Sequence, residues 1–172
     1  MRKLYFFALT AIVTTVCSLT AITLFDPKPN ILNAYATVAG FNVQLAGSEE
    51  VPPVDTKATG SAEFKAPHFD SIYYSVNVSN IDKVTAAHIH SGKTGENGPI
   101  VVTLFKTESP SSEVMNGILT SGNITNADLE GPMAGKTLID LNKAMELGET
   151  YVNVHTEEHP NGEIRGQIKG AG

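Results

Sequence analysis

Tryptophan is absent, cysteine occurs once, and basic residues are few. The single Cys17 sits in the N-terminal apolar run, so the remainder of the chain has neither a disulfide framework nor a thiolate nucleophile. Twelve Lys+Arg stand against 18 Asp+Glu, a formal charge of −6 over 172 residues. Phosphate backbones need clustered cations, and no basic stripe exists here, which excludes a nucleic-acid partner. No G-x-S-x-G elbow occurs, and Gly95-Glu96-Asn97-Gly98 lacks the Lys-Ser/Thr that would make it a phosphate loop. The carboxylates are scattered, so no glycosidase pair stands out. What is present is 41% hydrophobic residues, 15 Gly and 9 Pro. That content suits one packed, turn-rich domain with a short extra segment.

The extra segment is N-terminal. Arg2 and Lys3 precede a run of 22 uncharged residues, Leu4 to Phe25, which Asp26-Pro27-Lys28-Pro29 ends. Ala34-Tyr35-Ala36 reads as a cleavage motif before Thr37. Residues 1–36 are therefore expected to be a signal peptide or an uncleaved membrane anchor, and 37–172 the exported domain. Cys17 is no lipidation site, because Val16 precedes it where a small residue is wanted. Without Arg2, Lys3, Lys28 and Asp26, nine basic face seventeen acidic side chains, a formal −8. Asn77-Val78-Ser79 and Asn123-Ile124-Thr125 are glycosylation sequons, relevant only in a host that glycosylates exported proteins.

From residue 40 onward, apolar and polar residues alternate. Phe41, Val43 and Leu45 alternate with Asn42 and Gln44; Ala62 and Phe64 with Ser61, Glu63 and Lys65; Ile72, Tyr74, Val76 and Val78 with their polar neighbours. Period two is the mark of half-buried antiparallel strands. Further strands are expected at 84–91, 100–107, 115–123, 150–156 and 163–169. Turn signals at Val51-Pro52-Pro53, Pro67 to Asp70, Asn97-Gly98-Pro99 and Pro160-Asn161-Gly162 separate them. His68, after Pro67, is read as a loop residue. Asn126 is expected to cap a short helical turn with Asp128 and Glu130 near its positive end. Leu138, Leu141, Ala144 and Met145 fall at helical spacing, which predicts a short helix over 138–147 ended by Gly148. The expected fold is all-β: an antiparallel Greek-key sandwich or barrel of about eight strands with one short helix.

Four of five histidines form two groups, His88-Ile89-His90 and His155-Thr156-Glu157-Glu158-His159. On a strand, residues i and i+2 share a face. His88 and His90 then project opposite Ala87 and Ile89, and His155 projects with Tyr151 and Asn153 opposite Val152 and Val154. If apolar residues mark the core, all three histidines lie on the outer face of the sheet. Neutral imidazole is a preferred ligand of copper and zinc, so a shared metal site of His88, His90 and His155 is one reading. The bland reading is hydrogen bonding on a polar face, and His159 in its turn reads as a solvated loop residue. Arg165 alternates with Ile164 and Gly166, which places it on the polar face one hairpin from His155. A guanidinium there either orients a small anion at an open metal position or pairs with a surface glutamate.

Several ordered motifs resemble the CHRD (chordin) domain: Leu45-Ala46-Gly47-Ser48-Glu49-Glu50-Val51-Pro52-Pro53-Val54, Ala58-Thr59-Gly60-Ser61-Ala62, Ala87-His88-Ile89-His90, Asn97-Gly98-Pro99-Ile100-Val101, Tyr151-Val152-Asn153-Val154-His155-Thr156 and Asn161-Gly162-Glu163-Ile164-Arg165-Gly166-Gln167-Ile168. The resemblance covers about residues 40–170 and implies an extracellular all-β domain without an established activity. A fainter resemblance is to copper/zinc superoxide dismutases. His88, His90 and His155 match the copper histidines in order, and Arg165 matches the anion-guiding arginine. A histidine-rich zinc loop, a bridging histidine and a disulfide pair are missing. The resemblances imply a superoxide-dismutase-like or immunoglobulin-like topology. The leading expectation is a copper-binding exported domain. Its alternatives are a copper-only superoxide dismutase-like enzyme, with Arg165 as a catalytic residue, and a metal-free interaction or structural module of the envelope. The expected partners are a metal ion and, at such an enzyme's copper, a small anion; contact with membrane would run only through the N-terminal segment.

Overall fold

The computed structural model describes residues 40–68 and 70–170; the charged start, apolar run and cleavage motif of residues 1–36 lie outside the described residues. Among the described residues, eight antiparallel strands follow one another: β1 (Phe41–Ala46), β2 (Thr59–His68), β3 (Ser71–Ile81), β4 (Val84–Ser91), β5 (Ile100–Lys106), β6 (Met115–Ile124), β7 (Thr150–Thr156) and β8 (Ile164–Ile168). Helix α1 (Leu138–Glu146) lies between β6 and β7. The ladder order is β5-β4-β7-β8-β1-β2-β3-β6. The outer strands β5 and β6 come alongside each other, and Tyr74 Oη and Thr120 Oγ1 both donate to Leu104 O on β5, at 2.8 and 3.4 Å. The sheet is thus a nearly closed barrel. Strands β3 to β6 take the spatial order β3-β6-β5-β4, the Greek-key arrangement.

The alternation sets which face is inward. Phe41, Val43 and Leu45 are buried while Asn42 and Gln44 are exposed. Phe64, Val76, Ile89, Val152, Val154, Ile164 and Ile168 are fully buried in the same core. Helix α1 adds Leu138, Leu141, Ala144 and Met145, the four residues at helical spacing. Thr137 caps it: Asp140 Oδ2 accepts from the Thr137 backbone N–H and hydroxyl at 2.9 and 2.8 Å. Such caps contribute about 1 kcal/mol. Gly148, at φ +68, ends the helix in a conformation that side chains resist.

Two local expectations are corrected. β2 runs through Pro67 to His68, which pairs with Ser71, so the backbone of His68 ends a strand instead of lying in a loop. The turn Asn126–Asp128 is capped by Thr125, whose N–H and hydroxyl donate to Asp128 Oδ2 at 2.8 Å each. Asn126 Oδ1 instead accepts from Leu138 N at 2.8 Å, joining the turn to the start of α1.

Candidate metal centre

The site grows from the pairing of β4 with β7 and of β7 with β8. His88 lies opposite Asn153, His90 opposite Tyr151, and Ala86 opposite His155. Arg165 lies opposite Asn153, and Gln167 opposite Tyr151. Paired residues share a face, so these side chains all project away from the core that takes Ala87, Ile89, Val152 and Val154. The three imidazoles converge: ring centroids are 4.9 Å apart for His88 and His155, and 5.6 Å for each of the other two pairs.

The face is the one parity gives, but it is not solvated. His88, His90 and His155 are buried, and Arg165 is 2% exposed. Segments 47–58, 92–99 and 157–163 lie over this part of the sheet and turn its outer face into a second, polar interior. Arg165 holds the middle segment, donating to Lys93 O, Glu96 O and Asn97 Oδ1 at 3.2, 2.9 and 3.1 Å. Its guanidinium also stacks on the Tyr151 ring, 3.5 Å from the centroid. Asn97 Nδ2 donates to Val51 O at 2.6 Å, which ties this segment to the first one. Thr56 and Thr156 both donate to Glu163, at 2.7 and 2.8 Å, and Gln167 Nε2 donates to three carbonyls, of Gly92, Gly148 and Thr150. Arg165 is thus neither surface-exposed nor paired with a surface glutamate.

The hydrogen bonds define what each histidine offers. His90 Nδ1–H donates to Gly98 O at 2.9 Å, and His155 Nδ1–H donates to Pro160 O at 3.1 Å. A carbonyl only accepts, so both rings carry their proton on Nδ1 and present a lone pair on Nε2. His88 Nδ1, His90 Nε2 and His155 Nε2 are buried without a hydrogen-bond partner among the described residues. One ring nitrogen of each histidine lies within 4.8 Å of those of the other two. Burial holds all three imidazoles below their ordinary pKa. For His88 the value falls to about 4, through desolvation first and then the charges of His155, His90 and Lys106. For His90 and His155, desolvation outweighs the bonds to Gly98 and Pro160, which act in the opposite sense. The rings are therefore neutral at pH 7, the form that binds metal.

Beside the histidines sits an acid that sequence reasoning passed over. Glu50 is 5% exposed, and burial pushes its carboxyl up to about 7 against the pull of Arg165 and Asn153. Asn153 Nδ2 donates to Glu50 Oε2 at 3.3 Å, while Glu50 Oε1 and Asn153 Oδ1 have no partner among the described residues. Adjacent Glu49 and Glu50 look like a solvated acidic pair in the sequence. No local signal in the sequence announces the burial of Glu50, because the partners that surround it, Asn153 and Arg165, are remote in the chain. His159 stays half-buried in the 157–163 segment, outside the cluster of three.

No solved structure matches this chain significantly. A curated relative, Chordin of Xenopus laevis, is 28% identical over 134 residues, covering 73% of this chain and 12% of that protein. The chain thus corresponds to a small part of that relative's length. The sequence profile of the CHRD domain matches residues 41–168, from the first residue of β1 to the last of β8. This chain belongs to the CHRD domain family.

Proposed function

We propose that this CHRD domain binds a d-block metal ion, copper, through His88 Nδ1, His90 Nε2 and His155 Nε2. The observation that carries the reading is twofold: each of the three histidines has a buried ring nitrogen without a partner among the described residues, and one ring nitrogen of each lies within 4.8 Å of those of the other two. An unpaired buried polar atom costs about 1–3 kcal/mol, and three together at one point need a reason. Copper and zinc take imidazole nitrogens at about 2.0–2.1 Å, and one ring nitrogen of each histidine already lies within 4.8 Å of those of the other two. Two of the rings donate their other nitrogen to a backbone carbonyl, the usual support of a metal-bound histidine. Copper stands ahead of zinc because a given nitrogen site generally binds Cu(II) more tightly.

The superoxide-dismutating alternative asks for a guanidinium free to meet an anion. Here it stacks on Tyr151 and donates to three loop acceptors, so metal binding without turnover is the better supported function. Export by residues 1–36 belongs to the same reading; its support is the charged start, the apolar run, Ala34-Tyr35-Ala36, and a domain without cysteine. N-terminal sequencing of the mature protein should begin near Thr37, or find the anchor retained.

The deciding experiment is calorimetric titration of the domain with Cu(II), beside a variant with His88, His90 and His155 all replaced by alanine. One equivalent bound by the wild type and none by the variant is expected. Equal affinity in both would leave the metal-free module.

A further inference from the structure

The groups around His90 form a chain of contacts that the metal reading does not use. Tyr151, on the strand between His90 and Arg165, stacks with both. Its ring lies 5.0 Å from that of His90 at 9°, and the Arg165 guanidinium lies 3.5 Å from its centroid. The Gly98 peptide is gripped at both ends: its N–H donates to Tyr151 Oη at 3.1 Å, and its carbonyl accepts from His90 Nδ1 at 2.9 Å. Arg165 fixes the preceding residues of the same segment through Lys93 O, Glu96 O and Asn97 Oδ1. A Cβ at Gly98 would fall 1.7 Å from Ser91 O, so only glycine lets the segment approach this closely. His155 is held differently, by Pro160 O, while the hydrogen bonds of the Arg165 guanidinium go to the 92–99 segment.

We propose that Arg165 and Tyr151 are positioning residues of the metal site, which hold the Gly98 carbonyl where it fixes the tautomer and plane of His90. The proposal rests on the metal-binding reading for its consequence but not for its geometry. Arg165 pins the segment, Tyr151 seats the Gly98 N–H, and the Gly98 carbonyl keeps the proton on His90 Nδ1. With that carbonyl displaced, His90 divides between two tautomers and two orientations, and Nε2 is no longer reserved for an ion. Arginine suits the role because its planar fork both stacks and donates along several directions, which an ammonium cannot do.

The test compares wild type with Tyr151→Phe, Arg165→Lys and Arg165→Gln. Tyr151→Phe keeps the stacked ring and removes one hydroxyl, so it spares the fold. Two readouts are needed: the ring 15N shifts of His90 and His155 in metal-free protein, and Cu(II) affinity by calorimetry. In each variant the His90 signals are expected to move toward a tautomer mixture while those of His155 stay in place. Cu(II) affinity is expected to fall roughly tenfold or more, the range found for groups that support metal ligands. A general loosening of the fold would shift both histidines alike and overturn the proposal, as would unchanged His90 signals in all three variants. If wild type and the triple-alanine variant bind Cu(II) equally while the His90 shifts behave as expected, the metal reading fails and the positioning role stands.

Discussion

The two outer faces of the barrel present opposite cases. On β7 every residue is buried, core-facing and outward-facing alike. On β3 and β6 most outward residues remain in solvent: Tyr73 is 36% exposed, Ile118 is 65% exposed, and Asn77 and Asn123 are also open, although Ser75, between Tyr73 and Asn77, is buried. Strand parity is as clear on β3 as on β7, since Ile72, Val76 and Val78 are buried while Tyr73 and Asn77 are exposed. The difference comes from three segments, 47–58, 92–99 and 157–163, folded over β4, β7 and β8. Parity therefore names which side of a sheet a residue takes, while the connections decide whether that side meets water. A polar side chain that meets water is nearly neutral for stability; one under a covering segment must be paired, charged at a cost, or reserved for a ligand.

The largest effect that tests this contrast is expected from glycine replacement. Gly98→Ala places a methyl against Ser91 O and should destabilise the domain by about 3 kcal/mol or more in urea unfolding. Gly117→Ala, on β6, meets no atom within 4 Å and should cost about 1 kcal/mol, from its φ of +125 alone. Similar values for the two would mean that the covering segment is not tightly seated.

Acid should separate the faces next. Folded His88, with its pKa at about 4, takes up no proton until well below the value of 6.5 in the unfolded chain. The unfolded state therefore binds more protons across that interval, and stability of the metal-free domain should fall as pH drops from about 6.5 toward 4. His90 and His155 are shifted in the same direction and add to the slope. A His88→Gln variant should show a shallower loss in unfolding followed against pH. Ordinary imidazoles release copper on acidification through about pH 6; on the proposed copper-binding reading these rings, held neutral by burial, should keep the ion at lower pH.

Glu50 works in the opposite sense. Its folded pKa of about 7 lies above the unfolded 4.5, so the folded state holds the extra proton between those values. Stability from this group is fully present below 4.5 and is lost as pH rises through 7. Glu50→Gln should make the metal-free domain more stable than wild type at pH 8, and the difference should vanish by pH 4. A difference that persists at pH 4 would rule out titration as its origin. The smallest effect belongs to the bare face: Lys65→Ala breaks the exposed Lys65–Glu63 pair at 2.7 Å and should change stability by no more than about 0.5 kcal/mol.

Much of this architecture was legible from period alone. The ranges 84–91 and 150–156 match β4 and β7 residue for residue, and the four apolar positions of α1 are all buried. The outward projection of His88, His90, His155 and Arg165 followed from the same rule. Burial of that face was not legible, because it depends on where remote segments cross the sheet. Nothing local to Asn97 announces that its amide reaches Val51 O, or that its carbonyl receives Arg165. The covering segments carry Gly, Pro, Asn and Glu, the composition of solvated turns. Their role appears only when the strands place Arg165, Gln167 and Asn153 underneath as anchors.

The distribution of the three histidines along the chain sets an order of events. His88 and His90 belong to β4 and His155 to β7, with β5, β6 and α1 intervening, and the supporting carbonyls arrive on segments after β4 and β7. Neighbouring strands bring these pieces together only once the β4–β7 ladder is made. A chain still under synthesis, or one partly unfolded, offers two histidines on a bare strand and no pocket. The core of Phe64, Val76, Ile89 and Val154 forms from apolar groups alone, so folding does not wait for an ion. On the proposed metal-binding reading, loading is then a late step performed on a finished barrel, and chelators should strip the site while the barrel stays folded, unlike the small metal-nucleated domains that unravel with their ion.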